Sequence, residues 1–210
     1  MDLSVWVALV ALFFAGGLTP GPAVMLVMST SLRYRAPTAL IPALGVSAAN
    51  LVWISLAAGG LAAFAAKFPL VLIVLKVAGI CFIAWLAFTI AFADPSRPHA
   101  NASDAPPRGK LFARGVGLQL LNPNALVFFG LLLPSYFDMA KPVVPQALVM
   151  MATITVCEMF GLTVYAWLAD AMNHRFESPA FTKWFNRGAA FAMLAAVLFA
   201  SVSTIRPAGG

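Results

Sequence analysis

Charged side chains punctuate this sequence, and the gaps between them are long enough to decide what the chain can fold into. Residues 3–32, 36–66, 115–137 and 188–205 carry no Asp, Glu, Lys or Arg; residues 68–93 carry only Lys76; residues 139–169 carry Lys141 near their start and Glu158 in the middle. A helix crosses the ~30 Å hydrocarbon core of a bilayer with about 20 mostly apolar residues. The gaps therefore predict six membrane-spanning helices, at 4–32, 38–65, 69–93, 112–134, 143–169 and 185–205. The first two exceed the required length, which predicts tilt or a break. Apolar residues are 62% and charged residues 10% of the chain, against about 45–50% and about 25% in soluble domains. So few charges cannot clothe a soluble surface, which weighs against water-soluble enzymes, disordered chains and nucleic-acid partners. Cys81 and Cys157 lie far apart in apolar runs and form no CxxC and no metal-ligand cluster, so neither a metal nor another cofactor is expected. The start, Met1-Asp2-Leu3, lacks the positive region of a cleavable signal peptide.

The net charge of +6 fits a membrane protein with positive cytoplasmic loops. Arg33, Arg35, Arg97, Arg108, Lys110, Arg114, Arg175, Lys183 and Arg187 follow spans one, three and five, whereas Lys67, Lys76, Lys141 and Arg206 belong to the other side or to span three. Nine against four predicts that both termini are outside and that the polar, proline-rich linker 94–111 is cytoplasmic. Three spans then lie on each side of the linker, in residues 1–93 and 112–210. An odd number of spans per half forces the halves into opposite orientations, the topology of an inverted repeat.

Each half opens with a helix interrupted by proline. Thr19-Pro20-Gly21-Pro22 lies in the middle of span one, and Asn122-Pro123-Asn124 in span four, at an offset of 103 residues between Pro20 and Pro123. Proline removes a backbone bond and clashes with the preceding turn, whereas Thr or Asn followed by Pro is a helix start. Each motif is therefore expected to begin a half-helix, whose free N–H groups and positive dipole end suit a carboxylate ligand. A packing kink is the alternative at either motif. At about 1.5 Å of rise per residue, Thr19, Asn50, Asn122 and Glu158 all fall near the bilayer centre.

Glu158 is the most informative single residue. A charge at midplane costs about 2.5–3.5 kcal/mol on insertion scales, and Lys76 is about 12 Å away in depth. Taking up a proton removes that cost, so Glu158 suits proton coupling or, ionised, a substrate ammonium. A structural carboxyl bonded to a neighbouring helix is the competing reading. Asn50 and Tyr165 are candidate pocket residues, each with an interhelical hydrogen bond as its alternative. Gly188, Ala192, Ala196 and Ala200 form a small-residue stripe on span six that fits either a seam inside the bundle or a homodimer face.

Gly16-Gly17-Leu18-Thr19-Pro20-Gly21-Pro22, followed in the second half by Leu121-Asn122-Pro123-Asn124-Ala125, resembles the lysine exporter (LysE/RhtB) family of amino-acid exporters, and the likeness extends over the whole chain. The resemblance implies an all-α protein of the bacterial cytoplasmic membrane that exports amino acids or similar metabolites, driven by proton entry. It assigns the motif positions to Pro20, Gly21, Pro22, Asn122, Pro123 and Ala125. Span two carries Asn50 where some members carry an acid, which favours a neutral amino acid or a homoserine-like metabolite over lysine. The competing classes are a non-transporting membrane scaffold and an intramembrane enzyme. The latter lacks paired cysteines, a paired-His metal site and a midplane base for a nucleophile.

Overall fold

The computed structural model describes residues 1–17, 21–60, 67, 69–92, 105–138, 140–175 and 179–203, and among these it is all-helical. The helices are α1 (Leu3–Gly17), α2 (Pro22–Tyr34), α3 (Ala36–Ala58), α4 (Pro69–Ala91), α5 (Arg108–Leu120), α6 (Pro123–Val127), α7 (Val143–Arg175) and α8 (Pro179–Ser203). A π-helical turn (Phe128–Leu132) and a 3-10 turn (Leu133–Tyr136) continue α6. Among the described residues two helices, Ala36–Ala58 and Val143–Met172, are long and apolar enough to cross a membrane alone; Arg108–Leu120 and Asn124–Tyr136, bent by 57°, reach that length and apolarity only when taken together as one pair.

Both proline motifs coincide with helix boundaries. In the first, α1 stops at Gly17 and α2 starts at Pro22, with extended Gly21 as its N-cap; Thr19 and Pro20 lie outside the described residues. In the second, α5 stops at Leu120 and α6 starts at Pro123, with Asn122 as N-cap. Pro42 is tolerated inside α3, as membrane helices allow where neighbouring groups cover the freed backbone. The α2–α3 junction turns on Arg35, the one described non-glycine residue with positive φ, at 71°.

Contacts fix the relative directions of the helices. Pro42 and Asn50 of α3 meet Gly115 and Gln119 of α5 in the same order, so these helices run parallel. Arg35 reaches Asp170 at 3.7 Å while Ser47 and Asn50 reach Glu158, so α3 and α7 run antiparallel. Gly79 and Phe82 of α4 meet Leu121 and Gly117, so α4 and α5 also run antiparallel. Glycine is required at these crossings. A Cβ on Gly45 would strike the Phe112 carbonyl, one on Gly115 the Pro42 carbonyl, and one on Gly79 the Leu121 carbonyl.

Three apolar clusters surround the middle of the bundle. One joins Leu9, Trp53, Ile54, Phe129, Leu133, Met150 and Ile154; another joins Leu26 and Leu118 to Ile83, Leu86, Ala190 and Met193 of α4 and α8; the third joins Val24, Val27, Val46, Leu162 and Ala166. Large apolar side chains such as Ile73, Val77, Phe160, Trp167, Trp184 and Phe191 point outward, as a lipid-facing surface requires.

Several sequence-based boundaries shift. Span two was expected to run to residue 65, but α3 ends at Ala58 before Gly59 and Gly60, and residues 61–66 lie outside the described set. Helix α7 runs to Arg175, past the expected end at 169, because Asp170 is buried beside Arg35. Gly188 is exposed with open space around it, and α8 packs on α4 through Ala189, Ala190 and Met193, so the inner seam does not run through the expected stripe at Gly188. The side chains of Ala196 and Ala200 lie outside the described set.

Candidate functional site

A cavity of about 450 Å³ lies where the two helix breaks approach each other. Its walls are Gly21, Pro22, Ala23 and Val24 from the start of α2, Asn122, Asn124 and Ala125 from the start of α6, and Asn50, Gln119, Glu158 and Leu162 from α3, α5 and α7. Leu12, Phe13, Phe128 and Phe129 complete it. The volume is in the range of small-molecule sites, and few polar groups are set among apolar ones.

The two helix starts differ chemically. Gly21 (φ −125°, ψ −174°) makes no side-chain cap bond. Pro22 has no N–H, so Ala23 and Val24 carry the first-turn amides of α2 with no partner inside the helix. At α6 the Asn122 side chain accepts a hydrogen bond from the Asn124 amide at 3.0 Å. The second break thus satisfies one of its own donors, and α6 itself is only five residues long. The sequence predicted two equivalent anion-binding helix ends. Among the described residues, one helix start has no side-chain cap bond from its N-cap residue and faces a wall of asparagine side chains.

A hydrogen-bonded chain crosses the polar end. Gln119 Nε2 donates to Asn50 Oδ1 at 2.6 Å, and Asn50 Nδ2 donates to Glu158 Oε2. Ser47 Oγ donates to the same carboxyl oxygen at 3.4 Å, and Trp53 Nε1 donates to the Gln119 carbonyl at 3.1 Å. With its oxygen engaged by Gln119, the Asn50 amide presents its NH₂ to Glu158. Both hydrogen bonds that the described residues make to Glu158 end on Oε2. Asn50, Gln119 and Asn122 are all buried, and buried polar groups of this kind need their partners. Among the described residues the salt bridges join Arg35 to Asp170 and Lys141 to Asp2 and Asp138, and none engages Glu158.

Aromatic rings form another part of the wall. Phe13 meets Phe128 edge-on, with centroids 5.0 Å apart, and Phe129 lies between Phe13 at 6.1 Å and Trp53 at 6.5 Å. Phe128 and Phe129 lie in the π-helical turn. Such turns insert an extra residue into a helix and recur at functional sites.

Of the residues singled out from sequence, Gly21, Pro22, Asn50, Asn122, Asn124 and Glu158 meet at this cavity. Pro123 begins α6, and its side chain lies outside the described set. Tyr165 is not among the wall residues and packs on the α2–α3–α7 apolar cluster. Sequence reasoning missed Gln119, Ser47 and the phenylalanines. Gln119 had a usable signal, as an amide side chain inside the charge-free run 115–137. The phenylalanines had none, because 17 of them are spread through the chain.

The model of LysE-type translocators matches residues 14–202. This chain belongs to the LysE-type translocator family. It is therefore a membrane transporter of an amino-acid efflux family and not an enzyme. Its family relatives include a homoserine/homoserine lactone efflux protein of Salmonella typhimurium, 27% identical over 183 residues that cover 86% of this chain and 89% of the relative. A leucine efflux protein of Enterobacter sp. is 26% identical over 152 residues, or 72% of each chain. No solved structure gives a significant match.

Proposed function

We propose that this LysE-type translocator exports neutral amino acids or homoserine-like metabolites from the bacterial cytoplasm, with Glu158 as the site of proton exchange. The observation that carries the reading is the single cavity shared by the start of α2, the Asn122–Asn124 wall and Glu158. The substrate carboxylate binds the first-turn amides of Ala23 and Val24 at the positive end of α2. Asn50, Asn122 and Asn124 supply neutral polar contacts. The side chain of the substrate lies against Phe13, Phe128 and Phe129, a surface with no carboxylate to pair with a second ammonium group. Glu158 Oε1 alternates between a proton and the substrate ammonium, so the two compete for one group. That competition is the requirement for antiport.

Six spans in two inverted halves, with both termini outside in the inner membrane, complete the proposal. Its support is the pairing of helices. In an inverted repeat, a contact between spans two and four implies one between spans five and one. Here α3 packs on α5, and α2 packs on α7. Spans two and five, and three and six, also pack as α3 on α7 and α4 on α8. The parallel α3–α5 and antiparallel α3–α7 directions agree with alternate crossings.

The test is efflux from proteoliposomes loaded with leucine, homoserine or lysine, with a pH gradient imposed. Leucine or homoserine efflux that rises with the gradient, with little lysine efflux, is expected. Gradient-independent flux removes the antiport, and preferred lysine efflux removes the neutral-substrate assignment.

A further inference from the structure

Five buried side-chain atoms among the described residues have no hydrogen-bond partner, and four of them belong to the walls of one second cavity: Ser29 Oγ, Arg33 Nε, Arg114 Nε and Asn186 Oδ1. The fifth, Asp170 Oδ1, faces Arg35 at 3.7 Å. The cavity measures about 160 Å³ and lies between the far end of α2, α4, the first turns of α5 and α8. Proteins seldom leave buried polar atoms unpaired. Four such atoms on residues that line one space mark a site whose occupant completes their bonds.

The chemistry of the four atoms describes the occupant. Guanidinium groups only donate and stay charged, so Arg33 and Arg114 call for an anionic oxygen group. Among the described residues no Asp or Glu lines the cavity. Asn186 Oδ1 only accepts, so it calls for an N–H or O–H, and the Ser29 hydroxyl serves either role. The hydroxyls of Thr30 and Thr89 are already used, bonded to the Leu26 and Leu86 carbonyls of their own helices at 2.7 Å each. A carboxylate beside an ammonium meets all four demands, and the two are adjacent in every α-amino acid. The space admits that head group, while apolar walls at Leu26, Leu86 and Ile90 accept the first atoms of a side chain.

We infer that this cavity is a second amino-acid site, holding the substrate carboxylate between Arg33 and Arg114 and its ammonium against Asn186 and Ser29. The inference rests on the proposed export function and adds a staging point to it. Helix α2 connects the two sites: it starts at the central cavity and reaches Arg33 eleven residues after Pro22, a rise of about 16 Å. Arg33 and Arg114 belong to the arginine-rich side that the sequence assigns to the cytoplasm, so the substrate meets this site first.

The test is calorimetric titration of the full chain, purified in phospholipid-free micelles, with L-leucine and with leucinamide, which lacks the carboxylate. Two leucine sites per chain are expected. Arg33→Gln and Arg114→Gln should each weaken one of them at least about tenfold, as loss of a hydrogen bond to a charged group does, and leave the other intact. The retained site reports that the variant is folded. Ser29→Ala, which removes no charge, should weaken the same site several-fold and serves if a glutamine variant does not fold. Leucinamide should not occupy the arginine site. One leucine site in the wild type, or a second site indifferent to Arg33 and Arg114 or filled by leucinamide, overturns the inference. So does occupancy seen only in phospholipid nanodiscs and not displaced by leucine, which would assign the arginines to a lipid headgroup. Loss of all leucine binding and flux in the wild type would instead be a failure of the export reading.

Discussion

At the first break the chain passes through extended Gly21 into Pro22 and a 13-residue helix, and at the second through Leu121 and Asn122 into Pro123 and a five-residue helix that loosens into π and 3-10 turns. Both breaks use proline at the helix start, and both border the same cavity. They differ in what they leave unsatisfied. Gly21 has no side chain to cap α2, whereas the Asn122 side chain turns back on the Asn124 amide. In the proposed function the repeated motif serves two ends: the α2 start receives the substrate carboxylate, and the α6 start builds a polar wall. On that proposal the capping residue, more than the proline, decides whether a broken helix receives a ligand.

The largest expected effect lies opposite both breaks. Glu158→Gln preserves the size of the side chain and its ability to pair with Asn50, yet cannot exchange a proton. Efflux should lose all response to a pH gradient and fall to flow down the amino-acid gradient, as measured in proteoliposomes. An unchanged gradient response would make both breaks parts of an uncoupled pathway.

Next in size are the close crossings that hold the second break in place. Gly115→Ala and Gly79→Ala each push a methyl group into a backbone carbonyl, at Pro42 and Leu121 respectively. Overpacking of this kind costs about 1–3 kcal/mol, and should appear as lower melting temperature and yield in detergent. Full stability in both variants would show that α5 is free to move off α3 and α4.

Gly21→Ala separates function from stability at the first break. The added Cβ meets nothing within 4 Å, and the backbone there is ordinary extended chain. Melting temperature should fall only slightly, by the poorer N-cap that alanine makes, while KM for efflux rises about tenfold or more, the scale of one misplaced methyl group in a substrate site. Asn122→Ala should behave in the opposite sense at the second break. Loss of the cap costs about 1 kcal/mol of stability, with a smaller change in KM. If the two variants exchange these signatures, the comparison is wrong.

The positions of the two breaks were legible in the sequence because proline beside a capping residue has few uses inside an apolar run. Their inequality was not legible. Thr19 and Asn122 look alike as caps, and only coordinates show Gly21 at the N-cap of α2. Glu158 stood out by its charge, and Asn50 by depth. Their hydrogen bond depends on the antiparallel packing of α3 on α7, and the Gln119 bond behind it on the parallel crossing of α3 and α5; both are long-range packing that no local pattern encodes. Asp170 misled for a related reason. A charge normally ends a span, but Arg35, reached from a different helix, allows this one to stay buried.

The smallest effect is expected far from either break, where Lys141 bonds Asp2 at 2.7 Å and Asp138 at 3.2 Å on an exposed loop. Lys141 together with the Ala140 amide holds the Asp138 carboxyl below its usual 3.8, and bonds to Asp2 and Asp138 hold Lys141 above its usual 10.5. The lowered Asp138 contributes stability above its unfolded value and loses it as pH falls through the folded value. The raised Lys141 contributes below its unfolded value and loses it as pH rises through the folded one. The network is therefore intact throughout the neutral range. Lys141→Gln should leave the pH profile of efflux between about 5 and 8 unchanged, given the small worth of exposed ion pairs. A shifted profile would place part of the proton response outside the cavity.

The most direct test of the open helix end is a solid-state NMR distance measurement between the carboxylate of ¹³C-labelled leucine and the ¹⁵N amides of Ala23 and Val24 in the reconstituted protein. The account predicts that the carboxylate carbon is dephased by both amides at hydrogen-bonded range, and that Gly21→Ala reduces the effect. Dephasing by the Asn122 or Asn124 side chains with none from Ala23 or Val24 would contradict it, because the carboxylate would then be bound at the capped break instead of the open one.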